Sequence, residues 1–190
     1  IFPTAKITSL AAWNHFPEKY CCPYIMEPDE PLFVHVGELF YKSMKDEFGT
    51  VHFYNCDIFN ELQPPNSSLI YLRNIASKVS TVLQTAGDSA AVWIMQGWLF
   101  GADAKFWTVE RIQHFLSGVP NDKMIVLDLQ SEFLPLYISL KFYFGKPFIW
   151  CMLHNFGGNI EMYGILDSIA SGPVDARTSE NSTMVCQMAC

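Results

Sequence analysis

Continuous apolar runs alternate with helical patterns along this chain, and that alternation constrains its fold more than any other feature. The runs Val51–Phe59, Ala90–Trp98, Met124–Leu129 and Pro147–His154 are bounded by Gly, Pro or polar clusters and lack strict two-residue alternation. Such runs suit parallel strands covered on both faces. Between them the spacing predicts helices. Pro31–Phe48 carries Leu32, Phe33, Val36, Leu39, Phe40 and Met44 at helical intervals, with Pro31 in the first turn and Gly49 as the stop. Ser68–Thr85 repeats the pattern through Ile70, Tyr71, Ile75, Val79, Val82 and Leu83. Thr108–Ser117 is capped by Thr108, with Trp107 placed to staple against Ile112 and Gly118 after its end. Ser131–Phe144 is a weaker helical pattern that requires Pro135 in its first turn, and Ile160–Ala170 is another candidate.

Helix–strand alternation means βαβ units and a parallel sheet, an α/β fold. The strand starts are separated by about 39, 34 and 23 residues, near the ~31 per unit of an eight-unit barrel. A doubly wound sheet fits the alternation too. However, no G-x-G-x-x-G follows the first strand and no phosphate-binding loop occurs, so nucleotide binding loses its best support. Four units are clear and a further strand starts near Thr183. The chain therefore reads as a consecutive part, about four to five βα units, of an incomplete TIM-type (β/α) barrel. Residues 1–190 form one partial catalytic domain, with a loop-rich opening segment over 1–30 and βα units over 31–190. The opening Ile1-Phe2-Pro3, without an initiator Met or a leader, suggests an interior piece of something longer.

Composition narrows the partners. Twelve basic against nineteen acidic side chains leave a net charge of −7, which argues against a duplex nucleic-acid binder and against a polybasic membrane surface. Half of the residues are hydrophobic and 16% charged, which excludes intrinsic disorder. No apolar stretch reaches the ~18 residues of a membrane helix, so no membrane insertion is expected. The six cysteines, Cys21, Cys22, Cys56, Cys151, Cys186 and Cys190, include no C-x-x-C, and no His pair has metal-ligand spacing, so no metal site is expected. Cys56 and Cys151 lie inside apolar runs and read as small buried hydrophobes. The adjacent Cys21-Cys22 sits in a Pro-rich loop and could pair with a partner upstream. Two sequons, Asn66-Ser67-Ser68 and Asn181-Ser182-Thr183, mark candidate glycosylation sites in surface loops and tilt the compartment toward the secretory route.

In barrel enzymes the chemistry sits where strands end and βα loops begin. The residues found there are Asn60-Glu61 and Gln63-Pro64-Pro65, then Gln96-Gly97-Trp98, then Asp128, Gln130 and Glu132, then His154-Asn155 and Gly157-Gly158. The opening segment adds Trp13-Asn14-His15. Carboxyl, amide, imidazole and indole groups together suit an uncharged polyhydroxylated substrate. Indole faces stack on sugar C–H surfaces, amides bind hydroxyls, and a carboxylic acid protonates a leaving oxygen. Each residue also has a structural reading: Glu61 as a helix N-terminal acid, Trp98 and Trp150 as core aromatics, His154 as a hydrogen-bonded structural histidine. No Ser or Cys lies in a nucleophile elbow, so a triad hydrolase has no positive support.

Four motifs go further. Ala11-Ala12-Trp13-Asn14-His15-Phe16, Phe59-Asn60-Glu61-Leu62-Gln63-Pro64-Pro65, Gln96-Gly97-Trp98-Leu99-Phe100 and Phe148-Ile149-Trp150-Cys151-Met152-Leu153-His154-Asn155-Phe156-Gly157-Gly158-Asn159 resemble, in the same order, those of the alpha-N-acetylglucosaminidase family, glycoside hydrolase family 89. The resemblance extends to about Val185. It implies part of the barrel catalytic domain of a lysosomal or secreted exo-glycosidase. Its expected substrate is an oligosaccharide or glycosaminoglycan of the heparan sulfate type, from which terminal α-linked N-acetylglucosamine is removed without a metal or organic cofactor. The family retains configuration through two glutamates, and Glu61 matches its general acid/base. Trp13, Trp98 and Trp150 match aromatic positions that shape the sugar pocket, Asn60 precedes the acid, and His154 lies in a matching motif without an assigned role. Asp128 and Glu132 have strand-end positions but no family role.

The resemblance also contains a departure. The family's nucleophilic glutamate follows a strand resembling Ser-Thr-Met-Val and a Met-Ala-Pro-Glu-Gly run. Here Ser182-Thr183-Met184-Val185 is followed by Cys186-Gln187-Met188-Ala189-Cys190, without the Glu. The family's N-terminal and C-terminal domains are likewise not in the sequence. Retaining hydrolysis needs two carboxyls about 5–5.5 Å apart, so the chain by itself is expected to be inactive. The alternative is a truncated, catalytically inactive product that at most binds sugar or a partner protein.

Overall fold

Helices form here where the sequence supplies both a cap and an apolar stripe. The computed structural model describes residues 3–12, 17, 19, 24–59, 62–86, 88–153 and 164–189. Two short strands, β1 (Ile7–Ser9) and β2 (Tyr24–Met26), pair antiparallel with Ile7 opposite Met26. Three residues each is too short to leave a periodic signal, and the segment reads as loop in the sequence. Helix α1 (Pro31–Phe48) starts with Pro31, which has no N–H to leave unsatisfied, and the Glu30 carboxylate accepts from Leu32 N. It stops at Gly49, whose φ of 83° suits a residue without Cβ and whose N–H reaches Lys45 O at 2.9 Å.

After β3 (Phe53–Asn55) comes α2 (Leu69–Thr85), capped by Ser68 Oγ accepting from Tyr71 N at 3.1 Å. Its buried stripe is Leu72, Ile75, Ala76, Val79, Val82 and Leu83, the spacing of one helix face. Strand β4 (Val92–Gln96) leads into the short helix α3 (Trp98–Ala102). Helix α4 (Val109–Ser117) carries the expected Thr108 cap, and Trp107 and Ile112 are both buried in the core that it covers. Next come β5 (Met124–Asp128), the short turns α5 (Leu136–Ser139) and α6 (Lys141–Gly145), β6 (Phe148–Met152), α7 (Leu166–Thr178) and β7 (Met184–Ala189).

Two expectations are corrected. Ser131–Phe144 is not one helix, because the buried Asp128 carboxylate draws in the Ser131 hydroxyl and the Tyr137 N–H, and the chain wraps around it. Lys141, Phe142, Tyr143 and Phe144 then take left-handed φ values between 48° and 55°. Such residues cost about 1–2 kcal/mol each. The turn places Tyr143, fully buried, against Phe148 and gives Asp128 a phenol donor. The last helix runs from Leu166 through the buried Pro173 to Thr178; it overlaps the expected Ile160–Ala170 from Leu166 to Ala170 and continues past it, while residues 160–163 lie outside the described residues. Gly172-Pro173 looks like a stop sequence, yet a Cβ at Gly172 would stand 3.0 Å from the Trp150 ring, so this glycine lets α7 lie close on β6.

The five strands β3 to β7 hydrogen-bond in strictly sequential order, and every pairing is parallel. A doubly wound sheet reverses its order at a switch point; a barrel does not. The register separates two faces. Trp93 and Met124, Met95 and Val126, Val126 and Phe148, and Asp128 and Trp150 are cross-strand partners and are buried under the helices. The alternate partners Ile94 with Ile125 and Leu127 with Ile149 line the opposite face, where the three isoleucines are only half-buried. The sheet is open: it is a consecutive part of a TIM-type barrel with its helical layer in place.

Candidate functional site

The open ends of β3 and β4 meet around a pair of well-anchored turns. Beyond β3 the chain is pinned by Phe59, fully buried, and Leu62 N donates to Phe59 O at 3.0 Å. Gln63 and the buried Pro64 follow. Glu61 and Asn60 fall between these anchors but lie outside the described residues, as do Trp13 and His154. At β4 the strand ends in Gly97, whose N–H donates to Leu127 O at 2.8 Å. A Cβ there would stand 2.8 Å from that same oxygen and 3.0 Å from the Tyr143 hydroxyl. Only glycine allows this approach, and it seats Trp98 over the strand end.

Trp98 lines a cleft of about 610 Å³ together with Ala11, Leu62, Gln63, Asp103 and Trp107. The size suits one or two sugar rings. The cleft's polar centre is a hydrogen bond from Gln63 Nε2 to Asp103 Oδ2 at 2.6 Å. The N–H of Phe106, with smaller help from this amide and from Lys105, holds the Asp103 carboxyl below the usual carboxylate range against the opposing effect of burial. Beneath Trp98 a crevice of about 10 Å³ is bordered by Asp57, Phe59, Met95 and Gln96. Partial desolvation pushes the Asp57 carboxyl up, and a hydrogen bond from the Gln96 backbone pulls it back.

Asp128 lies on the helix side of the sheet, where burial raises its carboxyl to about 6 despite donors from Tyr143, Ser131, Tyr137 and Leu136. Glu132 is 3% exposed; its Oε1 accepts from Leu153 N at 3.0 Å, and its Oε2 has no partner among the described residues. It thus ties the β5 loop to the exit of β6. Trp150 is in the core, 3% exposed, with its ring against Gly172 of α7. Asn66 is exposed and its Oδ1 accepts from Ser68 N, while Asn181 is exposed with φ 63° at the other end of the sheet, before β7.

The structure therefore brings Trp98 together with the segment flanking Glu61, and leaves Trp150, Asp128 and Asn181 elsewhere. Sequence reasoning missed Asp57 and Asp103. Asp57 is hidden within an apolar run, and Asp103 acquires its role from a residue forty positions away. Among the described residues no cluster of three or more His, Cys, Asp or Glu side chains could hold a metal ion, and no helix is long and apolar enough to cross a membrane.

Comparison with known proteins agrees with this geometry. The family model of the alpha-N-acetylglucosaminidase (NAGLU) tim-barrel domain matches residues 1–189. Human alpha-N-acetylglucosaminidase is 43% identical over 185 residues, which is 97% of this chain and 25% of the human protein. A family 89 glycoside hydrolase from Clostridium perfringens, solved in complex with PUGNAc, superposes with a TM-score of 0.75 at 27% identity, over 97% of this chain and 20% of that one. The chain thus spans a quarter or less of either relative. Sequential parallel strands, a cleft at their open ends and a match along almost the full length lead to one assignment: this chain belongs to the alpha-N-acetylglucosaminidase family.

Proposed function

We propose that the protein is a retaining glycoside hydrolase that removes terminal α-linked N-acetylglucosamine from heparan sulfate-type chains, and that this segment supplies the general acid/base, Glu61. The observation that carries the reading is the family match over residues 1–189, with Leu62 and Gln63, which flank Glu61 in the sequence, lining the cleft. A strand-end carboxyl in a partly desolvated pocket keeps its proton long enough to protonate the glycosidic oxygen, and then deprotonates the attacking water. Trp98 offers a flat face for a sugar ring at the cleft wall, with Trp13, Asn60 and His154 as further binding groups. The lysosomal or secretory route belongs to the same reading, with glycans on Asn66 and Asn181. A mobility shift after endoglycosidase treatment checks that part.

The test of the acid is Glu61→Gln in the complete protein that carries this chain. General-acid assistance is typically worth 10²–10⁴-fold. Glycosylation of a natural disaccharide should fall by about that factor, and a substrate with a nitrophenol leaving group, which needs little protonation, should lose far less. Equal losses on both remove Glu61 from the acid role.

A further inference from the structure

The hydrogen bond between Gln63 and Asp103 joins the segment that follows β3 to the turn that follows α3. Asp103 is mounted on the core: its Oδ1 and its backbone carbonyl both accept from Phe106 N, and the carbonyl also accepts from Trp107 N at 2.9 Å. Trp107 is buried and packs edge-on against Phe100, Phe106 and Phe115. The remaining oxygen, Oδ2, takes the Gln63 amide at 2.6 Å. Gln63 is exposed and Asp103 half-exposed, so water competes for both partners and their bond adds little to folding. Stability is a weak reason for it. Its position supplies a better one. On one side of Glu61 the chain is fixed by the fully buried Phe59; on the other the first side-chain tether is Gln63, backed by the buried Pro64. Only three residues, Asn60 to Leu62, separate the two anchors.

We propose that Gln63 and Asp103 are positioning residues that hold the exit of the acid-bearing segment at a set height above the cleft. This rests on the reading of Glu61 as the general acid. Proton transfer to a leaving oxygen needs hydrogen-bond distance in the transition state, and a displacement near 1 Å can cost 10²-fold. Loosening one anchor therefore weakens acid assistance more than it weakens sugar binding or the fold.

The experiment measures kcat/KM for a disaccharide and for a nitrophenyl glycoside in the complete protein, with thermal midpoints recorded alongside. Gln63→Met keeps the length of the side chain and removes the amide. It should lower the disaccharide rate about tenfold or more beyond any loss on the nitrophenyl glycoside, which reports the change in sugar binding alone, and leave the midpoint in place. Asp103→Asn, whose amide can still bond Gln63, should fall between the parent and Gln63→Met. Glu61→Gln is the reference. If it shows the selective loss and Gln63→Met does not, or if Gln63→Met lowers both substrates alike, the positioning role is overturned while the acid stands. If Glu61→Gln itself lowers both substrates equally, the acid assignment falls and the positioning inference falls with it.

Discussion

A carboxylate sealed from water is costly, and Asp128 is fully buried. Donors from Tyr143, Ser131 and two backbone N–H groups favour its charged form, but burial outweighs them and raises the carboxyl from 3.8 to about 6. The sign follows from linkage. The folded state binds the proton more tightly than the unfolded chain, so the contribution to stability is complete below about pH 4 and is lost as pH rises to about 6. The rise from 3.8 to about 6 corresponds to about 3 kcal/mol across that window. Asp128→Asn cannot titrate. The difference between the stability profiles of parent and variant should therefore slope between pH 4 and 6, with the parent losing ground, and be flat above pH 7. Denaturant titrations at several pH values test this. Parallel profiles through the window would mean that Asp128 titrates at an ordinary carboxyl value.

Between elements, closeness depends on what is missing at a few positions. Gly118 ends α4 where it crosses α2, and a Cβ there would stand 2.3 Å from Arg73 O and 3.1 Å from Ser77 N. Backbone cannot step aside as a side chain can, so Gly118→Ala should force the helices apart and cost about 1–3 kcal/mol, the range for overpacking. A lowered unfolding midpoint is the expected readout; an unchanged one would mean that the helices cross less closely than described. These contacts also explain what the sequence made legible. Helices α1, α2 and α4 carry their caps, stripes and stops within their own residues, so local reading finds them. Strands β4 to β6 announce themselves as apolar runs. The stretch Ser131–Phe144 does not, because its path answers to Asp128 and Phe148, and nothing local encodes four left-handed residues. Helix α7 extends beyond the expected Ala170 through Gly172-Pro173, where the missing Cβ lets it lie against Trp150. The site divides in the same way. Glu61 and Trp98 follow apolar runs in recognisable motifs of the sequence, while Asp103 is linked to distant Gln63 only in the folded chain.

At the scale of the molecule, an open arc of five parallel strands has consequences that a closed barrel avoids. Among the described residues nothing pairs with the outer edge of β3 or of β7. Such edges offer unpaired N–H and C=O groups to other chains. Next to the β3 edge Phe53 is 62% exposed, and on α1 Leu39 and Phe40 are 53% and 59% exposed beside an apolar groove of about 360 Å³. At the other edge Val185 is 49% exposed. The inner face of the sheet adds the half-buried Ile94, Ile125 and Ile149. In a complete barrel the opposite wall and its layers of side chains cover that face. With only 16% charged residues the surface has little with which to oppose association, although the net charge of −7 gives some repulsion. The 190-residue polypeptide produced by itself should therefore self-associate, eluting well above its 21.6 kDa mass with light scattering to match. Raising ionic strength should enhance the effect, since salt screens the like charges and leaves apolar contacts in place. A monodisperse species of 21.6 kDa that melts in one sharp cooperative transition would show that the arc buries its edges and inner face unaided.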